Sequence, residues 1–95
     1  MLFRSVSTDA WYSMGQESEK EVRRRAFEGF CVDAALMSHA LPTAIFLHCL
    51  PAHRGEEATD DVLDGAQSRI FPQAHNRMHT YRGLLAWLAT QGAFA

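Results

Sequence analysis

The chain has 95 residues and is poor in the residues that mark specialised classes: two cysteines, three prolines and six glycines. Cys31 and Cys49 are too few for a disulfide framework, and a pair of free thiols suits a reducing compartment such as the cytoplasm. No Cys-x-x-Cys occurs, and the five histidines offer no zinc-finger spacing. No apolar run approaches the roughly 20 residues that span a bilayer. Residues 1–5, MLFRS, lack the basic stretch and long apolar stretch of a signal peptide. A charge excess is also missing. Nine Lys and Arg stand against eleven Asp and Glu, for a net charge of −2, which gives no field to hold nucleic acid or an anionic membrane. Repeats, Gly/Ser linkers and low-complexity tracts are absent. What is present is ordinary for a globular chain, 47% hydrophobic and 21% charged residues, in a length that allows one small domain with one modest core.

The apolar pattern punctuates the chain into short elements. Residues 2–8 read as a weak strand and residues 9–15 as a loop. Residues 16–28 read as a helix whose start is signalled twice, by Ser13-x-x-Gln16 and by Ser18-x-x-Glu21. Its wet face carries Glu19/Arg23 and Glu21/Arg25 at i,i+4. Its dry stripe is Val22, Ala26 and Phe30. Asp33 is placed to cap a second helix running to Ala40, with Pro42 as its stop. Residues 44–50 form a continuous apolar run of strand length, the pattern of a parallel strand covered on both faces. Pro51 ends it and a polar loop follows to Ala58. Thr59 caps a short helix that Gly65 stops, and residues 68–71 suggest a further strand. Residues 73–90 give the strongest helical signal, with Met78, Tyr81, Leu85 and Leu88 on one face and Leu84 and Trp87 beside it. The two tryptophans and six phenylalanines are expected to pack the core. Strands alternating with helices imply an α/β fold: part of a three-layer parallel sheet flanked by helices, a fragment of a doubly wound domain.

Ligands of open parallel sheets bind where strands end and loops begin. Two chemically rich segments sit at such places, residues 9–16 and residues 48–57. In the first, Asp9, Ser13 and a glycine-flanked backbone N–H could hold both ends of a zwitterionic amino acid. On spacing alone, an Asx-turn followed by a helix cap has the better claim. Cys49 could be a nucleophile, a ligand contact or core filler, and buried filler is the commonest fate of a free cysteine. His75 and His79 share a helix face, but Asn76 stands where a His-Glu-x-x-His metalloprotease has its glutamate, so no metal site is expected. Arg23, Arg24 and Arg25 lie among Glu19, Glu21 and Glu28 and read as a solvated face. Arg77, near the start of the last helix, could meet an anion with its bidentate fork.

Asp9-Ala10-Trp11-Tyr12-Ser13-Met14-Gly15-Gln16 resembles the D-x-W-x-S-M-G-Q loop of ornithine carbamoyltransferases. The segment His48-Cys49-Leu50-Pro51-Ala52-His53-Arg54-Gly55-Glu56-Glu57 resembles that family's H-C-L-P-A-H-R-G-E-E, and Asn76-Arg77-Met78-His79 resembles its closing N-R-x-H. All three stand in the family's order over residues 8–88. Aspartate carbamoyltransferases lack the S-M-G loop and differ where Cys49 stands. The resemblance implies transfer of a carbamoyl group from carbamoyl phosphate to L-ornithine, giving citrulline and phosphate, with no metal or organic cofactor. It implies that Asp9 and Ser13 bind the α-amino end of ornithine and that the Met14 backbone meets its carboxylate. Cys49 and Leu50 would flank the reacting δ-amine, and Arg77 would contact carbamoyl phosphate, so Cys49, Leu50 and Arg77 are the catalytic candidates.

The family's S-x-R-T-R phosphate loop and H-P-x-Q motif occur nowhere in the sequence. Residues 1–95 are therefore expected to be a truncated ornithine-binding domain without the carbamoyl-phosphate-binding domain, from a family of cytoplasmic homotrimers. The alternative is a non-catalytic amino-acid-binding or interaction module derived from such an enzyme.

Overall fold

The computed structural model describes residues 2–94. Two parallel strands, β1 (Phe3–Thr8) and β2 (Ala40–His48), form the sheet. Between them run a 3₁₀ turn (Glu17–Glu19), α1 (Lys20–Ala26) and α2 (Ala34–Met37); after them come α3 (Asp60–Leu63) and α4 (Ile70–Thr90). The expected α/β class with a parallel sheet and flanking helices is what the chain adopts.

The register runs from Ser5↔Ile45 to Thr8↔His48 without interruption, but between Phe3↔Ala40 and Ser5↔Ile45 two residues of β1 span five of β2. Pro42 lies in that irregular stretch, where its missing N–H does least damage to the ladder. Asp33 does cap α2, with Oδ1 accepting from the Leu36 N–H at 2.8 Å. The helix stops at Met37, however, and Ala40, expected at its end, is the first residue of β2. The strand expected at residues 68–71 shrinks to one bridge. The Phe46 N–H donates to the Gln67 carbonyl and the Arg69 N–H to that of Phe46, both at 2.9 Å. Ile70 then opens α4, whose first turn admits Pro72 because the N–H groups there have no partner within the helix.

One face of β2 carries the core. Ala44, Phe46 and His48 point inward, and Phe46 packs with Val32, Met37, Ala58, Val62, Leu63 and Ile70. The opposite face is only half covered, with Ile45 and Leu47 lining an open groove along the start of α4. Coverage on both faces, expected from the unbroken apolar run, is thus incomplete.

Two apolar stripes also stay in solvent. Val22 and Phe30 are 71% and 70% exposed, and Phe30 reaches only the edge of Phe27, which stacks on Trp11. On α4, Met78, Tyr81, Leu84, Leu85 and Trp87 are all about half exposed or more, and Ile70 is its one buried residue. Of the two tryptophans and six phenylalanines expected in the core, Phe46 alone is buried and Trp11 is half-buried, while Phe3, Phe27, Phe30, Phe71, Trp87 and Phe94 are exposed. Periodicity tells which face of a helix is apolar, but not whether anything lies against it. The arm-like α4 explains a radius of gyration of 17.0 Å, where a compact chain of this length would have about 12–13 Å.

With so small a core, Phe46 carries a large share of the stability. Phe46→Ala should cost about 3–5 kcal/mol and abolish a cooperative thermal transition followed by circular dichroism. Leu85→Ala, on the exposed stripe, should stay within about 0.5 kcal/mol of the parent. A reversed order would contradict the assignment of the core.

Candidate functional site

Because β1 and β2 are parallel and Thr8 pairs with His48, both strands end at the same edge of the sheet. Asp9 and Cys49 each follow immediately, and the Cys49 thiol donates to Asp9 Oδ1 at 3.0 Å. The Ala10 N–H donates to the same oxygen at 2.7 Å. Both bonds fall on Oδ1, so Oδ2 is open to a ligand. Two segments 40 residues apart in sequence thus share one side-chain contact. A pocket of about 260 Å³ opens beside it, lined by Asp9, Tyr12, Ser13, Met14, Leu50 and His53 among others.

The walls are built locally. The Gln16 side chain accepts from the Ser13 N–H at 3.1 Å while the Gln16 N–H donates to the Ser13 carbonyl at 3.0 Å. This is the half of a capping box in which the later residue reaches back. Gly15 has φ +88°, the left-handed region that glycine enters freely, and its N–H donates to Glu17 Oε1 at 3.1 Å. The Met14 side chain is 87% exposed. Tyr12 is buried against the His53 ring, centroids 4.6 Å apart, with Lys20 Nζ 5.5 Å from the Tyr12 ring centroid. On the other wall Leu50 has φ +58° and precedes a cis bond to Pro51. A residue with a Cβ in that left-handed region carries roughly 1–3 kcal/mol of strain.

The Leu50 N–H stands at the end of a buried chain of hydrogen bonds. His48 and Glu57 are both fully buried. The Leu50 N–H donates to His48 Nδ1 at 2.8 Å, and His48 Nε2 lies 2.9 Å from Glu57 Oε1. Since Nδ1 accepts, the ring proton sits on Nε2 and is donated to the carboxylate. The His53 N–H donates to the same Glu57 oxygen at 2.7 Å. The backbone N–H of His48 donates to Gln73 Oε1 at 2.9 Å, which ties α4 to the end of β2.

Arg77 lies one turn beyond Gln73, outside the Asp9 pocket. It lines the neighbouring groove of about 650 Å³ with Ile45, Leu47, Asn76 and Tyr81. The structure therefore gathers Asp9, Ser13, Met14 and Leu50 around one pocket, sets Cys49 against Asp9, and leaves Arg77 on the next groove. Arg54 turns away and forks onto Asp64 at 2.6 and 3.0 Å and onto Asp60 at 2.8 Å, clamping the loop to α3. Arg23, Arg24 and Arg25 pair with Glu19 and Glu21 as a solvated face should, and Arg24 also reaches Glu56 at 3.2 Å.

His53, Glu56 and Glu57 are the one metal-ligating trio among the described residues, with candidate ligand atoms within 4.8 Å of one another. His53 Nδ1, Glu56 Oε2 and Glu57 Oε2 lack hydrogen-bond partners. Arg24 already faces Glu56, and Glu57 holds two N–H donors, so the trio is committed to closing the loop. His75 and His79 meet edge to face at 5.0 Å on exposed α4. No sequence pattern assigns a role to His48, Glu57 or Gln73. Gln73 acts through a contact 25 residues away, and His48 and Glu57 through one that closes a loop across nine residues, neither of which periodic patterns report.

The sequence profile of the Asp/Orn-binding domain of aspartate/ornithine carbamoyltransferases matches residues 3–88. The chain belongs to this family. It is 59% identical over 83 residues to an ornithine carbamoyltransferase of Wolinella succinogenes, covering 87% of this chain and 27% of that protein. It is 57% identical over 84 residues to one of Helicobacter hepaticus, covering 88% and 26%. Among solved structures, the anabolic ornithine carbamoyltransferase of Campylobacter jejuni superposes with a TM-score of 0.85 at 44% identity, over 95% of this chain and 30% of that one. The Pyrococcus furiosus enzyme gives 0.78 at 52%, over 87% and 26%. The chain thus spans about a quarter of the length of the curated relatives it matches.

The thiol–carboxylate contact sets the charge of the site. Accepting from Cys49 and from the Ala10 N–H holds the Asp9 carboxyl below its usual range. The same bond, with desolvation behind it, pushes the Cys49 thiol up. The stabilisation through Asp9 is present above the ordinary carboxylate value and is lost as pH falls through the lowered one. That through Cys49 is present below the ordinary thiol value and is lost as pH rises through the raised one. Asp9→Asn should bring the thiol back down and speed its alkylation by iodoacetamide at pH 8 by up to about tenfold. An unchanged pH–rate profile for Cys49 would contradict the contact.

Proposed function

We propose that the chain is the ornithine-binding portion of an ornithine carbamoyltransferase, which transfers the carbamoyl group of carbamoyl phosphate to the δ-amine of L-ornithine. The observation that carries this reading is the Cys49–Asp9 contact, which joins the D-x-W-x-S-M-G-Q and H-C-L-P segments at one pocket. In this reading Asp9 Oδ2 and the Ser13 hydroxyl accept from the α-ammonium, and the Met14 backbone donates to the carboxylate. Cys49 and Leu50 flank the δ-amine, and Arg77 meets carbamoyl phosphate from the adjoining groove. The neutral amine attacks the carbonyl carbon, and the tetrahedral intermediate collapses to citrulline and phosphate as a proton from the attacking nitrogen passes to the departing phosphate. Positioning and charge stabilisation supply the rate, so no covalent bond to the protein is needed. Cys49 fits that economy, because a thiol pushed up by Asp9 is a poor nucleophile.

The phosphate-bearing substrate needs several positioned cations and N–H donors, and the family's loop for that purpose belongs to the carbamoyl-phosphate-binding domain, which lies outside these 95 residues. The active protein is then a cytoplasmic homotrimer of longer chains serving arginine metabolism. The 95 residues alone should yield no measurable citrulline, since each missing donor of this kind typically costs about 10²–10³ in rate.

When the carbamoyl-phosphate-binding domain is supplied, substrate-saturation curves should show a crossover. Asp9→Asn raises the KM for ornithine by about 10- to 100-fold, the equivalent of a charge-assisted hydrogen bond, and leaves carbamoyl phosphate little changed. Arg77→Ala does the reverse. Cys49→Ser keeps part of the activity. Equal effects of Asp9→Asn and Arg77→Ala on both substrates would overturn the assignment of roles. Ornithine binding without turnover in the completed protein would favour a non-catalytic amino-acid-binding module.

A further inference from the structure

Glu57 lies outside the amino-acid pocket, and nothing in the proposed chemistry uses it. Its carboxylate nonetheless joins two parts of the segment that borders the site. One oxygen, Oε1, takes donors from both ends of the loop: the ring Nε2–H of His48 at 2.9 Å and the N–H of His53 at 2.7 Å. Through the same ring it reaches the Leu50 N–H, 2.8 Å from His48 Nδ1. We propose that Glu57 is a positioning residue for the amino-acid site, acting through His48 to hold the Cys49–Leu50 turn against Asp9.

Three features favour this over a pair that merely fills the interior. First, Glu57 is anchored to the core rather than to the loop it holds. Its carbonyl accepts from the Val32 N–H at 2.9 Å, the next residue, Ala58, is fully buried, and the Thr59 N–H donates to the Val32 carbonyl at 3.0 Å. Second, the residue at the end of the relay is the one that needs holding, since Leu50 sits at φ +58°. A bulky side chain with a Cβ keeps that conformation only where its surroundings impose it. Third, the relay fixes a tautomer. With Leu50 donating to Nδ1, the ring must give its proton to an acceptor on the Nε2 side, and Glu57 is that acceptor. An apolar residue at position 57 would leave Nε2–H buried without a partner, and the ring would regain it only by turning away from Leu50. The meaning for catalysis rests on the ornithine reading above, but the positioning itself does not.

The two cysteines allow a test within the 95-residue chain. Cys49 lies at the turn that Glu57 holds, and Cys31 lies next to Val32 in the core-side wall. Brief iodoacetamide pulses, quantified by mass spectrometry, compare their alkylation in the parent, Glu57→Gln and Glu57→Leu. Glutamine keeps an acceptor oxygen in place, so Cys49 should stay within about twofold of the parent. Leucine frees the turn and takes the thiol from Asp9, so Cys49 should speed up about tenfold, while Cys31, which loses the nearby Glu57 charge in both variants, should react in Glu57→Leu as it does in Glu57→Gln. Cys49 no faster in Glu57→Leu than in Glu57→Gln, or both cysteines rising together between those two variants, overturns the proposal. Nitrogen-15 NMR of the parent tests it independently of any variant. A His48 proton on Nε2 and a slowly exchanging Leu50 amide are expected, and a proton on Nδ1 overturns it. Adding ornithine to the parent separates the two readings. Failure to protect Cys49 counts against the ornithine site, whereas protection with no effect of Glu57→Leu counts against Glu57.

Discussion

Thr8 lies beside His48 in a parallel ladder, and the meeting of the two candidate loops follows from that pairing. Neighbouring strands stand about 4.8 Å apart, so the residues that follow two parallel strand ends are within side-chain reach of each other. Asp9 and Cys49 occupy those two places and meet at 3.0 Å. An antiparallel pair would have sent the same two loops to opposite ends of the sheet. Parallel pairing in turn requires a long crossover, here residues 9–39 with α1 and α2. The first of the two loops is the start of that crossover, so the residues that make the connection also make one wall of the pocket.

The ladder is held in register from below. Phe46 is fully buried on the face that meets α2 and α3, and its backbone N–H and carbonyl are both taken by the segment leading into α4. Moving β2 by one residue would expose Phe46 and bury Ile45 in its place. It would also carry His48 away from Glu57 and Gln73, so the packing of one phenylalanine and the aim of the site are not independent. Gln73 extends the same constraint to α4, because Arg77 follows it by one helical turn.

Much of this was legible in the residues. The apolar run around Phe46, the Asp33 cap, the parallel α/β class and the pairing of Glu19 with Arg23 follow from local rules, and the structure bears them out. The start of β2 was hidden because Ala40, Leu41 and Pro42 look like the frayed end of a helix, and only pairing with Phe3 makes a strand of them. The fate of the apolar stripes was hidden for another reason. Val22 and Phe30 on one side and Tyr81, Leu85 and Trp87 on the other have the spacing of buried faces, yet they lie in solvent. The segments 9–16 and 48–57 stood out by composition. Their contact did not, and neither did the Glu57–His48–Leu50 relay, because hydrogen bonds across a loop leave no periodic trace.

The chemistry of the site turns on a thiol that stays protonated. A nucleophilic cysteine is normally paired with a cation or a helix N-terminus that favours the thiolate. Cys49 is paired with a carboxylate, which does the opposite and is itself made more acidic. In the carbamoyl-transfer reading this division is useful at both ends of the amino acid. The α-ammonium is met by one fixed negative charge, on Asp9. The δ-amine has to lose its proton before it can attack, and a second anion beside it would hold that proton in place. A neutral thiol supplies bulk and a weak donor there without the charge. The bond between Asp9 and Cys49 therefore keeps the negative charge on the carboxylate and off the sulfur, which is the distribution that an amine nucleophile requires.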